Sequence, residues 1–143
     1  MFSNAVLADL IDSKEELRKE LERELYNYVS DYFSRGDNSI DDLTIDSGEL
    51  NSFEVIDTIS FEEEESEEGI SVTGLISIET EADCFKYSNN ENLSIGDLSL
   101  KGQANFSFRA IPDETKNPYG SEFTDIEFFN IKLDYWDNLL EVK

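Results

Sequence analysis

The chain has 143 residues, with 34 Asp and Glu against 11 Lys and Arg, no histidine, and a formal net charge of −23 at pH 7. A chain this acidic repels phosphate backbones and anionic membranes and attracts basic surfaces, so direct nucleic-acid and membrane contact are both excluded as expectations. With 38% hydrophobic and 12% aromatic residues it still has the material for one core, and its length fits a single domain, 1-143.

In chain order, FSNAVLADLI comes first, with Phe2, Val6 and Leu10 four apart, which predicts a short turn or helix ending near Asp12. Ser13 and Glu16 fit the S-x-x-E capping box, opening a second helix over about 14 to 35. Its apolar stripe is Leu17, Leu21, Leu25, Tyr28, Val29, Tyr32 and Phe33, and Gly36 suits a C-terminal cap. Residues 37–52 read as an acidic linker. From residue 53 the apolar period changes to 2. Phe53, Val55, Ile59 and Phe61 form one inward set, with Ile56 on the other side, and Ile70, Val72, Ile76, Ile78, Ala82 and Cys84 form a second. Leu98, Leu100, Ala104, Phe106, Phe108 and Ala110 form a third. The fourth runs Ile126, Phe128, then Ile131, Leu133 and Tyr135 on the opposite parity, which predicts a β-bulge at Phe128-Phe129. The expected fold is α+β: an N-terminal amphipathic helix packed on a four-stranded antiparallel sheet within 53–136, with connections at 62–69, 87–96 and 111–122.

The charge is unevenly placed. Residues 36 to 85 hold sixteen acids and no Lys or Arg, whereas residues 14 to 35 are nearly balanced at six acids and five bases. The densest part is SFEEEESEEG, with Glu62, Glu63, Glu64, Glu65, Glu67 and Glu68. As a loop it reads first as a solvated connection whose charges discourage edge pairing. Glu79, Glu81 and Asp83 alternate on the polar side of one strand, roughly 6.8 Å apart along it, and Lys101 on the next strand could neutralise one of them. These nine acids are the candidate partner-binding residues. Acidic composition also accompanies life in high salt, but a chain rich in Ile, Asn, Phe and Ser, with seven Lys against four Arg, departs from that pattern.

Catalytic equipment is not legible. The absence of histidine removes triads, imidazole ligands and the usual general base. Cys84 falls on an inward position, as a buried inert thiol, and a single cysteine fits a reducing compartment. FSNAVLADLI has no basic leader and no apolar run approaches membrane length, so a soluble cytoplasmic protein is expected. Asp37, Ser39 and Asp41 imitate the first ligands of an EF-hand loop, but Asp42 and Gly48 occupy its glycine and glutamate positions and Glu49 comes one residue late. No metal, cofactor or catalytic residue is assigned, and an enzyme using only carboxylates and a divalent metal is the third of three readings.

ISVTGLISIETEADCFKY, GQANFSFRA and TDIEFFNIKLDY, within residues 70–136, resemble the β-rich C-terminal domain that follows PIN-like nuclease domains in some bacterial proteins. The metal-binding acids of the nuclease part have no counterpart, so no catalytic residue carries over. The resemblance implies an accessory or partner-binding domain in a bacterial or phage conflict system.

The leading expectation is a non-catalytic acidic protein that occupies a basic surface of a nucleic-acid enzyme, sterically and electrostatically, as an inhibitor or immunity-type protein, with nucleic-acid mimicry as one form this could take. The rival is an accessory domain acting through a sheet edge, or through an apolar patch of Phe123, Phe129 and Trp136.

Overall fold

The computed structural model describes residues 1–34, 39–40 and 43–140. Two helices, α1 (Asn4–Ser13) and α2 (Glu15–Ser34), precede a small ribbon of β1 (Ser39–Ile40) and β2 (Leu43–Thr44). The main sheet follows: β3 (Ser47–Ser66), β4 (Gly69–Ser88), β5 (Glu91–Ile111) and, after a 3₁₀ turn at Pro118–Gly120, β6 (Glu122–Leu140). It is an antiparallel meander in the order β3-β4-β5-β6. The fold is therefore α+β with two helices and a four-stranded antiparallel sheet.

The strands are longer than the alternation predicts: β3 ends in residues 62–66, polar on both faces, and the first parts of β3 and β5 bring only isolated apolar residues, Leu50 and Ile95, to the core. β3 begins at Ser47, inside the expected linker, and runs through Glu62 to Glu65, which pair with Thr73, Val72, Ser71 and Ile70. The β3–β4 connection is only Glu67-Glu68, closed by Gly69 at φ 127°, where a side chain is disfavoured. The β4–β5 connection is Asn89-Asn90, both left-handed at φ 52° and 65°, the pattern of a two-residue hairpin turn.

α1 starts on a cap in which the Ser3 hydroxyl accepts from the Val6 N–H. The expected capping box does not form. Ser13 is the last residue of α1 and its hydroxyl donates back to the Asp9 carbonyl at 2.6 Å, while the Lys14 carbonyl accepts from Arg18 N–H and opens α2. Leu17, Leu21, Leu25, Val29 and Phe33 of α2 are fully buried against the inner sheet face. Gly48 carries no side chain, which lets the Phe33 ring lie directly on β3. At the other end of the inner face, Phe2, Phe106, Phe108 and Phe123 pack edge-to-face and stacked at 5.3–6.2 Å between centroids. Phe123 is thus core, at 7% exposure, and not part of an outer patch. The side chain of Trp136 lies outside the described part.

Bulges retune the strands. On β3, irregularities at 50/52, 55/57 and 58/60 turn Ile56 and Ile59 outward and bury Thr58, so Ile59 does not face the core as its spacing suggests. On β6, Phe129 pairs with Asn105 and Lys132 with Gln103, so Asn130 and Ile131 together oppose Ala104. The slip therefore lies just after the expected Phe128-Phe129 step, with Asn130 left-handed at φ 51°. Replacing Asn130 by alanine is expected to cost about 1 kcal/mol, since alanine lacks asparagine's tolerance of this region, while glycine is accepted; denaturant unfolding of both variants checks it.

Candidate functional site: the outer sheet face

Strand alternation leaves the side of the sheet away from the helices open to solvent, and the ladder sorts its residues into transverse rows. From the β3–β4 turn, successive rows from β3 to β6 are Glu64, Ser71, Arg109, Thr124; then Glu62, Thr73, Ser107, Glu127; then Ser60, Leu75, Asn105, Phe129. Next come Asp57, Ser77, Gln103, Lys132, and then Glu54, Glu79, Lys101, Asp134. Near the far end, Glu49 stands opposite Asp83, which stands opposite Asp97. Directly paired residues are about 5 Å apart, and rows on one face are separated by roughly 6.8 Å.

The nine expected binding residues go to three places. Glu62, Glu64, Glu79, Glu81 and Asp83 lie on the outer face. Glu63 and Glu65 have inward parity. Glu63 grips the N-terminus, accepting from the Phe2 N–H at 2.8 Å and lying 3.5 Å from the Met1 ammonium. Glu67 and Glu68 form the turn, where Glu68 is 3.4 Å from the Arg109 guanidinium, which also reaches Asp125. Lys101 does stand across from the Glu79 row, its ammonium 2.6 Å from the Glu79 carboxylate. The alternation had no means of revealing Glu49, Glu54 and Asp97 as neighbours of that row, because the β3 bulges and the hairpin turns set who faces whom.

Like charges directly opposite in a ladder oppose folding. Asp83 has one on each side, Glu49 and Asp97, and accepts a 2.7 Å hydrogen bond from the Ser94 hydroxyl. Replacing Asp83 by asparagine keeps that bond and removes both repulsions. It is expected to stabilise the protein by about 0.5–1 kcal/mol at low salt, with the gain shrinking in ~1 M NaCl, as a thermal melt would show.

The helical side differs in charge. Lys19 pairs with Glu15 at 2.7 Å, and Arg23 with Glu20 and Glu24, so α2 is locally compensated. The helical segment 4–34 as a whole, with eight acids and four bases, carries only a small part of the chain's charge excess. The helices also reach both sheet edges, each at one point. Asp12 Oδ1 accepts from the Val55 N–H at 3.0 Å, and the Arg18 guanidinium donates to the Phe53 carbonyl at 3.2 Å and to Asp12 at 2.9 and 3.0 Å. At the opposite edge the Tyr28 hydroxyl donates to the Leu133 carbonyl at 2.8 Å and accepts from the Leu133 N–H at 3.0 Å.

Cys84 is fully buried, its thiol pushed up to about 12 by burial and by the nearby Asp83 and Asp97 charges. At pH 8 a thiol reagent is expected to leave the native protein unmodified and to label it in denaturant. Among the described residues no group of three or more His, Cys, Asp or Glu is placed to hold a metal ion. Of the EF-hand-like stretch, Asp37, Asp41 and Asp42 lie outside the described residues, while Gly48 and Glu49 belong to β3. Among the described residues no helix is long and apolar enough to cross a membrane. No family model, curated protein or solved structure matches this chain.

Proposed function

We propose that the chain is a non-catalytic binding protein whose outer sheet face covers a basic surface of another protein, as an inhibitor or immunity-type protein of a nucleic-acid enzyme. The observation that carries this reading is the registered acid display on one solvent face: Glu54 opposite Glu79, Glu49 opposite Asp83, and Asp83 opposite Asp97. Lys101 offsets the first of these pairs through Glu79, so the cost in the free protein falls mainly on the Glu49, Asp83, Asp97 row. A cationic partner would turn the same repulsion into attraction, and the field of a −23 chain would speed the encounter. Because Glu62 and Glu64 belong to a ladder, they too have fixed spacing, as a stand-in for a row of phosphates requires.

The test is affinity capture from host lysate with the wild-type protein and with E79Q/E81Q/D83N, at low and at high salt. The reading expects a basic nucleic-acid enzyme that is retained at low salt, lost with the triple variant, and inhibited in competition with its nucleic acid. An enzyme retained equally by both proteins would refute the assignment of these three acids. A second reading, an accessory domain of a bacterial or phage conflict system, rests on Ile56 and Ile59, both 45% exposed along the β3 edge. It expects a partner held at high salt and released by Ile56→Asp or Ile59→Asp.

A further inference from the structure

The row Ser60, Leu75, Asn105, Phe129 carries no charge, although it lies on the most charged side of the molecule. Phe129 is 43% exposed, and it faces solvent from a strand whose other described aromatic on the same stretch, Phe128, is core. A depression of about 360 Å³ is lined by Phe61, Leu75, Asn105 and Phe129, with Thr73 and Glu62 on its rim. A second, about 600 Å³, shares Leu75 and Asn105 and continues toward Gln103, Asn130 and Lys132 on β6. Together they make a trough running across the strands. Its walls carry Glu62 and Glu127 in the row on one side, and Asp57 with, at the β6 end, Lys132 in the row on the other.

An aromatic with an adjoining apolar floor and a polar rim is the arrangement in which a few contacts dominate a protein interface. Charge complementarity specifies the occupant. A neutral or acidic segment seated here would bring no partner to Glu62, Glu127 and Asp57, whereas cationic side chains flanking an apolar one would meet these three acids against the one opposing charge of Lys132. The trough crosses four strands about 4.8 Å apart, roughly 14 Å, which an extended segment of about four or five residues spans.

Resting on the reading that the outer face covers a basic protein surface, we infer that the trough seats a short basic protein segment with an apolar side chain at its centre. That side chain packs on Leu75 and Phe129, and the flanking Lys or Arg side chains meet Glu62, Glu127 and Asp57. The acids steer and orient the partner, and the trough supplies the part of the affinity that salt does not remove.

The experiment uses two short peptides of equal positive charge, with arginines flanking a central leucine in one and a central serine in the other. Both are titrated into the full chain at low and high salt while the backbone amides are followed by NMR. The leucine peptide is expected to bind about tenfold more tightly than the serine peptide in ~0.5 M NaCl, shifting the amides of Thr73, Leu75, Asn105 and Phe129. Phe129→Ser, at an exposed position, removes this advantage and leaves the serine peptide unaffected; Leu75→Asn, in the same row two strands away, does the same. Equal affinity of the two peptides, or an advantage that survives both variants, overturns the trough while low-salt binding of both peptides keeps the acidic-face reading. Binding of neither peptide at low salt overturns both.

Discussion

Replacing Arg18 by alanine is expected to destabilise the protein by about 3 kcal/mol, since hydrogen bonds to charged groups contribute roughly 1.5–3 kcal/mol. The guanidinium does three things at once. It joins the end of α1 through the Asp12 carboxylate and carbonyl, it satisfies the outward carbonyl of Phe53, and it stacks over the Phe53 ring at 4.0 Å. Alanine leaves the Phe53 carbonyl without its protein partner and frees the Asp12 side chain that caps Val55. Lysine should recover less than half of the loss, because an ammonium keeps the charge but has neither the fork nor the flat face. Urea unfolding of the two variants measures both numbers. A loss within ~0.5 kcal/mol for alanine would mean that water serves the β3 edge equally well.

The second large effect is expected at the other edge. Tyr28→Phe removes one oxygen atom and should cost about 2–3 kcal/mol, because that oxygen serves both backbone groups of Leu133, a residue only 4% exposed. The phenyl ring still fills the same space, so packing is nearly unchanged and the loss reports the two hydrogen bonds. Arg18 acts on β3 and Tyr28 on β6, with no shared partner, so the two losses should add. The double variant would then lose about 5–6 kcal/mol, comparable to the whole stability of many domains, and circular dichroism should find it largely unfolded at 37 °C.

Those two residues also mark where sequence reading stops. The stripe Leu17, Leu21, Leu25, Val29 and Phe33 is legible because a helix repeats its buried face every three to four residues, and the inner positions of β4 and β5 are legible because a strand repeats its own every two. The ends of the strands are not. Glu62 to Glu65 have no hydrophobic alternation, so nothing local separates a charged strand from a charged loop; their pairing with residues 70–73 is dictated by the tight turn at Gly69. The parity shifts on β3 came with no signal either, since Thr58 takes the buried place that the spacing gives to Ile59. Contacts such as Tyr28 with Leu133, 105 residues apart, depend on register and curvature together. The candidate site was legible as a set of acids, but which acids are neighbours follows from the ladder alone. The uncharged row of Leu75 and Phe129 emerges only when four strands are set side by side.

The meander order has a kinetic consequence. Each strand pairs with its neighbour in sequence through connections as short as two residues at Glu67-Glu68 and Asn89-Asn90, so hairpins can zip from their turns on a timescale of about 1–10 μs. The helical arm packs on β3, its near neighbour in sequence, and must also reach β6 at the other end of the chain, a contact that carries a larger loop-closure cost. In that order of events the sheet exists for a time with both borders bare, the condition under which unfolded neighbours add strands to one another. Two chains that each carry −23 repel one another throughout that interval. The acids of the outer face and of the β3–β4 turn thus oppose association between chains while the sheet is being made.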